Sequence, residues 1–361
     1  MFSIADHEFM AHALRLAERG LCTTSPNPRV GCVIVKDGVV VGEGWHERAG
    51  EAHAEINALR MAGEAARGAA VYVTLEPCSH YGRTPPCAKA LIDAQVDRVV
   101  VAMRDPNPLV AGEGMGMLQM AGIRVEQGLL ENHAHELNIG FVYRMTCGRP
   151  WVRLKVAASL DGKTALNNGV SQWITGDDAR RDAHRLRARS CAVLTGIGTV
   201  LADDPLMTVR AVETTRQPLR IVLDSKLKMP TTAKMLTEGK TLIVTGNDNH
   251  EKMDALWKAG AQMLILPLKH GHIDLERMLD ELAKREINEV MVEAGHTLSG
   301  AFLQAGLVDE MVIYLAPLLL GHKARGMFDL PELTAISGRE IKIKEVTMVG
   351  RDLKIRAVPL E

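Results

Sequence analysis

HAE at residues 53–55 and EPCSHYGRTPPC at residues 76–87 are the two stretches that decide how this chain is interpreted. They place His53 two residues before a glutamate and set Cys78 and Cys87 on either side of an eight-residue loop. One histidine and two thiolates give zinc three protein ligands and leave its fourth tetrahedral position for water, as catalytic zinc sites require. We therefore predict that His53, Cys78 and Cys87 bind zinc.

Glu55 lies two residues beyond the predicted ligand His53, so it can sit beside the water without binding the metal. There it would move protons between that water, whose pKa the metal lowers toward about 7, and a leaving amine. The segments after His53 and from Cys87 are both predicted to begin helices, whose positive ends favour thiolate. The pattern predicts a hydrolytic deaminase that acts on a nucleobase-type ring.

Other interpretations of the same residues stay open at this point. Cys78 and Cys87 could form a disulfide, or the zinc could be purely structural with His80 as a fourth ligand. A structural zinc in an interaction protein would leave Glu55 without a purpose. The remaining cysteines have no ligand-like setting, and we interpret them as small apolar residues: Cys22, Cys32, Cys147 and Cys191.

Length and composition limit the class of protein. A chain of 361 residues is too long for one ordinary core, so two domains are expected. A net charge of -1 and 4% aromatic residues argue against a nucleic-acid partner, which needs a basic or aromatic-lined path. No apolar run approaches the roughly 18–20 residues of a membrane span, and the acidic start does not resemble a signal peptide. We expect a cytoplasmic protein with reduced cysteines.

Hydrophobic periodicity predicts an α/β organisation in two parts. A helix capped by Ser3 and Asp6 should end near Gly20, and Asp37-Gly38 should join two strands as a hairpin. Alternating helices and strands then predict a mainly parallel sheet. A polar break near residue 148 separates a second set of strands, so we place the domains at 1–147 and 148–361. Strands are predicted in the first part at 30–36, 39–44, 71–75 and 98–103, and in the second at 152–158, 192–195, 220–223, 241–244, 263–266, 289–292 and 311–315, followed by an antiparallel end at 340–347 and 353–358.

The zinc motif resembles the signature of nucleobase deaminases, except that eight residues rather than two separate the cysteines. That longer loop, together with motifs along nearly the whole chain, resembles the bifunctional riboflavin-biosynthesis deaminase/reductase family. These motifs are PNPRVG at 26–31, DPNP at 105–108, KVAASLDG at 155–162, SQWIT at 171–175, LADDP at 201–205 and VEAG at 292–295.

The resemblance implies two successive reactions on one small phosphorylated pyrimidine. Zinc would support hydrolysis of the 2-amino group of 2,5-diamino-6-(5-phosphoribosylamino)pyrimidin-4-one, and NADPH would then reduce the ribosyl group of the product to ribityl. It implies a cytidine-deaminase-like three-layer domain followed by a dihydrofolate-reductase-like domain, and a homo-oligomer, either a dimer or a tetramer. In the deaminase pocket it implies substrate contacts from Asn27, His46, His80, Arg83, Asp105 and Asn107. Such residues are also common in turns, which is the plain alternative for Asn27 and for the DPNP loop.

The second half contains two glycine-rich turns that follow predicted strands. GIGTVL at 196–201 fits a dinucleotide fingerprint poorly, because Leu201 stands where a small residue is needed. EAGHTLSG at 293–300 is a better phosphate cradle, in which helix-start amides could hold a pyrophosphate. An ordinary strand-to-helix turn capped by Thr297 explains the same residues equally well.

The family resemblance favours NADPH in the second half. It implies cofactor contacts from Ala157, Trp173, Thr199, Asp203, Ser225, Gly295, His296, Thr297, Leu298, Ser299, Gly300 and Ala301. It implies substrate contacts from Ser171, Arg187, Met207, Arg210 and Glu293, with Lys155, Asp203 and Glu293 as candidates for protonating or steering the opened sugar. Arg187 lies in an arginine-rich segment whose plain interpretation is a solvated helix face. The main rival function is a nucleic-acid base deaminase with an appended binding domain.

Overall fold

The computed structural model describes residues 1–80, 85–108, 110–332 and 338–360. Within it the chain forms two units, Met1–Gly148 and Arg149–Glu361. No helix in these described ranges is long and apolar enough to cross a bilayer.

The described residues of the first unit form five strands, six α-helices and one 3₁₀ helix. Its strands are β1 (Gly31–Lys36), β2 (Val39–Trp45), β3 (Ala70–Leu75), β4 (Arg98–Met103) and β5 (Arg124–Gln127). Its α-helices are α1 (Ile4–Glu18), α2 (Ala54–Ala62), α3 (Cys87–Asp93), α4 (Glu113–Met120), α5 (Glu131–Leu137) and α6 (Ile139–Cys147), and a short 3₁₀ helix spans Gly63–Ala66.

The sheet of the first unit has the order β2-β1-β3-β4-β5. The expectation of a mainly parallel sheet is wrong for β1, which runs antiparallel to both of its neighbours. The hairpin at Asp37-Gly38 reverses β2 against β1, and α2 then carries the chain across β1, so β3 runs parallel to β2. Strands β3, β4 and β5 are parallel, as predicted.

The first helix packs closely on the sheet. Ser3 and Asp6 form the predicted capping box, in which the Ser3 side chain accepts from the Asp6 amide and the Asp6 carboxylate accepts from the Ser3 amide. A side chain at Gly31 would place its Cβ 1.9 Å from the Ala13 carbonyl oxygen. Glycine is therefore required where α1 crosses β1.

The second unit contains a nine-stranded sheet with helices between its strands. Its larger strands are β6 (Trp151–Ser159), β8 (Ala192–Gly196), β9 (Leu219–Leu223), β10 (Thr241–Thr245), β11 (Ala261–Ile265), β14 (Glu289–Val292), β15 (Glu310–Ala316), β17 (Ile341–Val349) and β18 (Asp352–Pro359). The small strands are β7 (Lys163–Ala165), β12 (Leu268–Lys269), β13 (His272–Ile273) and β16 (Arg325–Gly326). The helices are α7 (Asp177–Arg189), α8 (Ile197–Asp203), α9 (His250–Lys258), α10 (Leu275–Lys284) and α11 (His296–Gln304), with a 3₁₀ turn at Lys234–Leu236.

The large sheet has the order β11-β10-β9-β8-β14-β6-β15-β18-β17. Its strands are parallel from β11 to β15, and the carboxyl-terminal hairpin of β17 and β18 adds the predicted antiparallel end. Apolar side chains cover both faces, since the buried residues form one cluster around Leu154 and Val292 and another around Val193 and Val222. Strands buried on both faces explain the near-continuous apolar runs in this half.

A buried ion network lies within this sheet. Arg153, whose side chain is 2% exposed, donates to Glu310 at 2.7 Å and to Glu289 at 3.1 Å. Arg189 also donates to Glu289, and Arg356 donates to Glu310. Burial alone would raise the pKa of Glu310, but Arg153 and Arg356 outweigh it and lower that pKa. The network pairs two buried carboxylates with arginines and favours the ionised form of Glu310.

Replacing Arg153 with methionine should strongly destabilise the second unit. The substitution keeps apolar volume but leaves Glu289 and Glu310 buried without their shared cation, at a cost of about 3–5 kcal/mol. Urea or thermal unfolding measures this cost. Arg285→Met is the matched control, because Arg285 pairs with Glu281 on the surface. Equal stability of the two variants would show that the network does not support the sheet.

Candidate functional sites

Strand directions bring distant segments of the first unit to one edge of its sheet. Parallel β3 and β4 end at this edge, and their carboxyl ends lead into Glu76 and Arg104. Because β1 is antiparallel to β3, its amino-terminal end and the carboxyl end of β2 lie at the same edge. The metal motif, the PNPRVG segment, His46 and the DPNP loop therefore meet there.

The three predicted metal ligands lie together. His53 Nδ1 is 3.6 Å from Cys78 Sγ and 3.3 Å from Cys87 Sγ, and the three ligand atoms all lie within 4.8 Å of one another. Tetrahedral zinc, with Zn–S near 2.3 Å and Zn–N near 2.0 Å, would separate a sulfur and a nitrogen ligand by about 3.5 Å. The donor set and its spacing therefore fit zinc. His53 immediately precedes α2, and Cys87 is the first residue of α3.

Glu55 lies on the first turn of α2 and is 3% exposed. Burial raises its pKa to about 7, although nearby His53 opposes that shift. Cys78 has a lowered pKa, about 4, because Cys87 and His53 hydrogen-bond to its sulfur. Cys32 is fully buried in the core, and burial raises its pKa.

The alternatives for the cysteines can be judged within the described residues. All six cysteines are free, so Cys78 and Cys87 do not form a disulfide. His80 is exposed, and the described metal-ligating cluster contains His53, Cys78 and Cys87 without it.

The side chains expected around the substrate lie at the same edge. Asn27 Nδ2 is 3.1 Å from His46 Nε2, and the His46 ring lies 5.3 Å from the His53 ring, centroid to centroid. Burial lowers the pKa of His46. Asp105 accepts from the Asn107 amide at 2.8 Å, and burial raises the pKa of Asp105. His80 lies near enough to Asp105 to oppose that shift, and Arg83 lies outside the described residues.

Glu76 is a residue of this site that sequence reasoning missed. Its side chain is buried and accepts from four backbone amides, those of Asp105, Gly112, Gly114 and Met115, at 3.0–3.2 Å. It thus joins the segment that bears Cys78 to the loop that bears Asp105 and to the start of α4. The motif contained this glutamate, but no sequence pattern indicated its partners, which lie 29 to 39 residues away.

The second unit contains a cleft of about 1510 Å³. It lies beyond the carboxyl ends of neighbouring parallel strands: Ser225 follows β9, Thr199 follows β8, and Glu293 follows β14. Lys155 and Ala157 face it from β6. Ligands of open α/β sheets bind at this kind of edge.

Most residues that the resemblance assigned to the reductase line this one cleft. Ser299 and Gly300 do not line it: Ser299 is buried and donates to the Ala294 carbonyl, and a Cβ at Gly300 would lie 2.1 Å from the Asp329 carbonyl oxygen. Their position on the first turns of α11 turns them toward the protein interior. The predicted residues that line the cleft are Lys155, Ala157, Ser171, Trp173, Arg187, Thr199, Asp203, Met207, Arg210, Ser225, Glu293, Gly295, His296, Thr297, Leu298 and Ala301.

Helix α11 starts beside the cleft, and its first amides have no hydrogen-bond acceptor among the described residues. Gly295 is its N-cap, and no side-chain cap bond is made there, so the alternative of a turn capped by Thr297 is wrong. A Cβ at Gly295 would meet open space. The first amides of a helix have no partner within it, and an anionic ligand can accept from them. Gly196 caps α8 at the neighbouring strand end, also without a side-chain cap bond.

Glu293 connects two cations in this cleft. Its carboxylate accepts from Lys155 Nζ at 3.1 Å and from Arg187 Nε at 2.8 Å. Burial would raise the pKa of Glu293, but Arg187 and Lys155 outweigh burial and hold it well below its usual range. Glu293 is therefore a fixed negative charge that positions both cations. Arg187 is buried, unlike most residues of a solvated helix face.

Family models match both parts of the chain. Residues 3–103 match the cytidine and deoxycytidylate deaminase zinc-binding region, and residues 150–355 match the RibD C-terminal domain.

Similar proteins cover almost the whole chain. The riboflavin biosynthesis protein RibD of Escherichia coli is 52% identical, covering 98% of this chain and 99% of its own. RibD of Haemophilus influenzae is 47% identical, covering 99% and 98%. Among solved structures, Acinetobacter baumannii RibD superposes with a TM-score of 0.92 at 48% identity, covering 99% of both chains. A diaminohydroxyphosphoribosylaminopyrimidine deaminase/5-amino-6-(5-phosphoribosylamino)uracil reductase of Thermotoga maritima superposes with a TM-score of 0.90 at 33% identity, covering 99% of both chains.

Glu76→Gln should destabilise the first unit and weaken deaminase activity. A glutamine has one acceptor oxygen, and its NH₂ group would face backbone N–H groups that now donate to the second carboxylate oxygen. Each buried N–H that loses its acceptor lowers the free energy of unfolding by about 1–3 kcal/mol. Thermal unfolding and deamination kinetics measure both effects. Glu113→Gln is the matched control, because Glu113 is an exposed carboxylate at the start of α4. If both variants behave alike, Glu76 acts only as a general charge near the helix.

Proposed function

Because the chain belongs to the RibD family of riboflavin biosynthesis enzymes, we propose that its two clusters of functional residues carry the family's two reactions. The protein is a bifunctional deaminase and reductase that uses zinc and NADPH. We assign deamination to residues 1–147 and reduction to residues 148–361. The observation that carries this assignment is the placement of a zinc-competent cluster in one unit and a cleft with unpaired helix amides in the other.

The first reaction removes the 2-amino group of 2,5-diamino-6-(5-phosphoribosylamino)pyrimidin-4-one as ammonia and leaves a carbonyl in its place. His53, Cys78 and Cys87 would hold zinc, which supplies a water activated for attack at neutral pH. Glu55 is buried beside these ligands and would carry a proton from the attacking water to the departing nitrogen. Asn27, His46, His80, Asp105, Asn107 and Arg83 are the proposed contacts to base, ribose and phosphate.

The second reaction reduces 5-amino-6-(5-phosphoribosylamino)uracil after its ribosyl ring opens. NADPH bound in the cleft would supply the hydride for the C1′ carbon, and the attached nitrogen would take up a proton. Lys155 Nζ faces the cleft and is held by Glu293, so we propose that Lys155 donates or steers this proton. Asp203 lies at the exposed end of α8 and is the second candidate.

The phosphates of the two ligands need fixed donors. We propose that Gly295, His296, Thr297, Leu298 and the adjoining turn hold the cofactor pyrophosphate, with Ser225 near the 2′-phosphate. Ala157, Trp173, Thr199 and Ala301 would complete the cofactor site. Ser171, Met207, Arg187 and Arg210 would bind the substrate, the two arginines at its phosphate.

Location, assembly and partner class complete the proposal. A cytoplasmic location is supported by the free cysteines, which a reducing compartment maintains. A homo-oligomer, dimer or tetramer, is expected from the family resemblance. The near-neutral charge supports a small-molecule substrate over nucleic acid.

Glu55→Gln should abolish most deamination while it preserves zinc and reduction. The amide keeps the shape of the carboxylate but cannot accept and return a proton, so turnover should fall by about 10²–10⁴-fold. Ammonia release and zinc content measure the two properties. Glu51→Gln, an exposed carboxylate nearby in the same chain segment, is the control.

Cys87→Ser tests the metal assignment in the same assays. It should lose zinc as well as deamination, whereas Cys147→Ser, which changes an exposed cysteine, should lose neither. Full zinc occupancy in Cys87→Ser would refute the proposed ligand set, and normal turnover in Glu55→Gln would remove Glu55 from the mechanism.

Gly295→Val should raise the NADPH KM by about tenfold or more and leave deamination intact. Gly295 has φ -70° and open space around its Cβ position, so valine fits the free fold but enters the space that a phosphate would need. Gly338→Val, at another open glycine that does not line the cleft, is the control.

Ser225→Asp should reduce the preference for NADPH over NADH, because its carboxylate repels the 2′-phosphate. Unchanged NADPH kinetics in both variants would place the nucleotide elsewhere.

A further inference from the structure

The substrate side of the reductase cleft contains an excess of positive charge. Lys155, Arg187 and Arg210 all line it, and Glu293 is the carboxylate that pairs with the first two. Arg187 Nη1 also donates to the Thr208 carbonyl at 3.0 Å, which fixes its guanidinium. Arg210 is exposed, and its guanidinium makes no hydrogen bond within the described part of the chain. Such a group of donors suits a phosphate monoester.

His184 lies in the same corner of the cleft as Arg187 and Arg210. It is on α7, one helical turn before Arg187, and it is 7% exposed and lines the cleft. Its Nδ1 accepts a hydrogen bond from the Arg210 backbone amide at 3.2 Å. The sequence offered no signal for it, because the arginine-rich segment around it predicted a solvated helix face.

The contact to Arg210 decides the tautomer of His184. A nitrogen that accepts from a backbone N–H cannot carry a proton, so in the neutral ring the proton lies on Nε2. Nε2 has no hydrogen-bond partner among the described residues. Nε2–H is therefore a hydrogen-bond donor that is available to a ligand in the cleft.

The surroundings keep this ring neutral. Burial lowers the pKa of His184 to about 4, and the positive charges of Arg187, Arg210 and Lys155 add to that shift, while Glu293 opposes it. A neutral imidazole adds a directed donor to the cluster without adding a fourth positive charge beside three cations. Its donor capacity does not depend on pH near neutrality.

We propose that His184 is a further substrate-binding residue of the reductase, whose Nε2–H donates to the phosphate of the phosphorylated sugar while Nδ1 positions Arg210 beside that phosphate. The inference rests on the proposed function, in which Arg187 and Arg210 bind the substrate phosphate. It assigns to His184 two separable tasks, one for each ring nitrogen.

Two substitutions separate the tasks. In His184→Asn the side-chain oxygen lies near the position of Nδ1, so it can still accept from Arg210, but the donor at the far side is lost. In His184→Gln the amide nitrogen reaches toward the position of Nε2, so a donor is kept and the acceptor for Arg210 is lost. The measurements use the full chain with NADPH and 5-amino-6-(5-phosphoribosylamino)uracil, and deamination by the same preparation serves as an internal control.

His184→Asn should raise the KM for this substrate by about tenfold or more, as loss of a hydrogen bond to a charged group does, and His184→Gln should raise it less. The NADPH KM should move by less than about threefold in both, since the cofactor phosphates bind elsewhere in the cleft. Ribose 5-phosphate should inhibit His184→Asn more weakly than the parent protein, whereas any weak inhibition by ribose should be equal in the two. His250→Asn, which changes an exposed histidine on α9, is the matched control.

The outcomes that overturn the inference are distinct. An unchanged substrate KM in His184→Asn, or a larger increase in His184→Gln than in His184→Asn, would show that His184 only holds the Arg210 backbone. If His184→Asn does not fold, the test is made by NMR on the unmodified protein. Its His184 ring resonances should shift when ribose 5-phosphate is added and should not shift with ribose. Arg210→Ala separates this failure from that of the proposed function. An unchanged substrate KM in Arg210→Ala would mean that the phosphate binds elsewhere, and a raised KM with a normal His184→Asn would reject the role of His184 alone.

Discussion

The direction of neighbouring strands is the constraint on which both functional sites depend. When adjacent strands run in the same direction, the loops that leave their carboxyl ends begin at one edge of the sheet. In the first unit this places Cys78 and Asp105 side by side after β3 and β4. In the second unit it brings Ser225, Thr199 and Glu293 together after β9, β8 and β14. Helices that start at these ends add their unpaired amides to the same space.

Carboxylates at both edges are held by several partners at once. Glu76 accepts from four backbone amides, and Glu293 accepts from Lys155 and Arg187. A buried carboxylate without such partners would take up a proton or move, so the partners fix its charge and its position together. Sites that must hold a metal ligand, a base or a cation within a fraction of an ångström gain precision from this arrangement. The His184 ring stays neutral for a related reason: its Nδ1 accepts from a backbone amide, and burial and the positive charges near it disfavour protonation.

Local patterns in the sequence predicted local structure well. The capping box at Ser3, the hairpin turn at Asp37 and the antiparallel end formed by β17 and β18 are all confirmed. The family and its two activities are confirmed by the comparisons. The prediction of a mainly parallel first sheet was wrong for β1, because local periodicity contains no information about which strand a crossover helix skips. Ser299 and Gly300 were expected beside the cofactor, but the 3.6-residue period of α11 turns them inward.

The sequence by itself determined the family of this protein and the side chains available for its chemistry: the candidate zinc ligands, the glutamate near them and the glycine before α11. Each of these is carried by a few adjacent residues, whose spacing limits what they can do together. Only the tertiary structure decided which distant groups meet. Glu76 accepts hydrogen bonds from amides that lie 29 to 39 residues later in the chain. Glu293 pairs with Arg187, which is 106 residues away in sequence, and His184 accepts from the Arg210 amide, which is 26 residues away. These contacts depend on strand order and direction, which arise from the packing of the whole chain rather than from any segment of it.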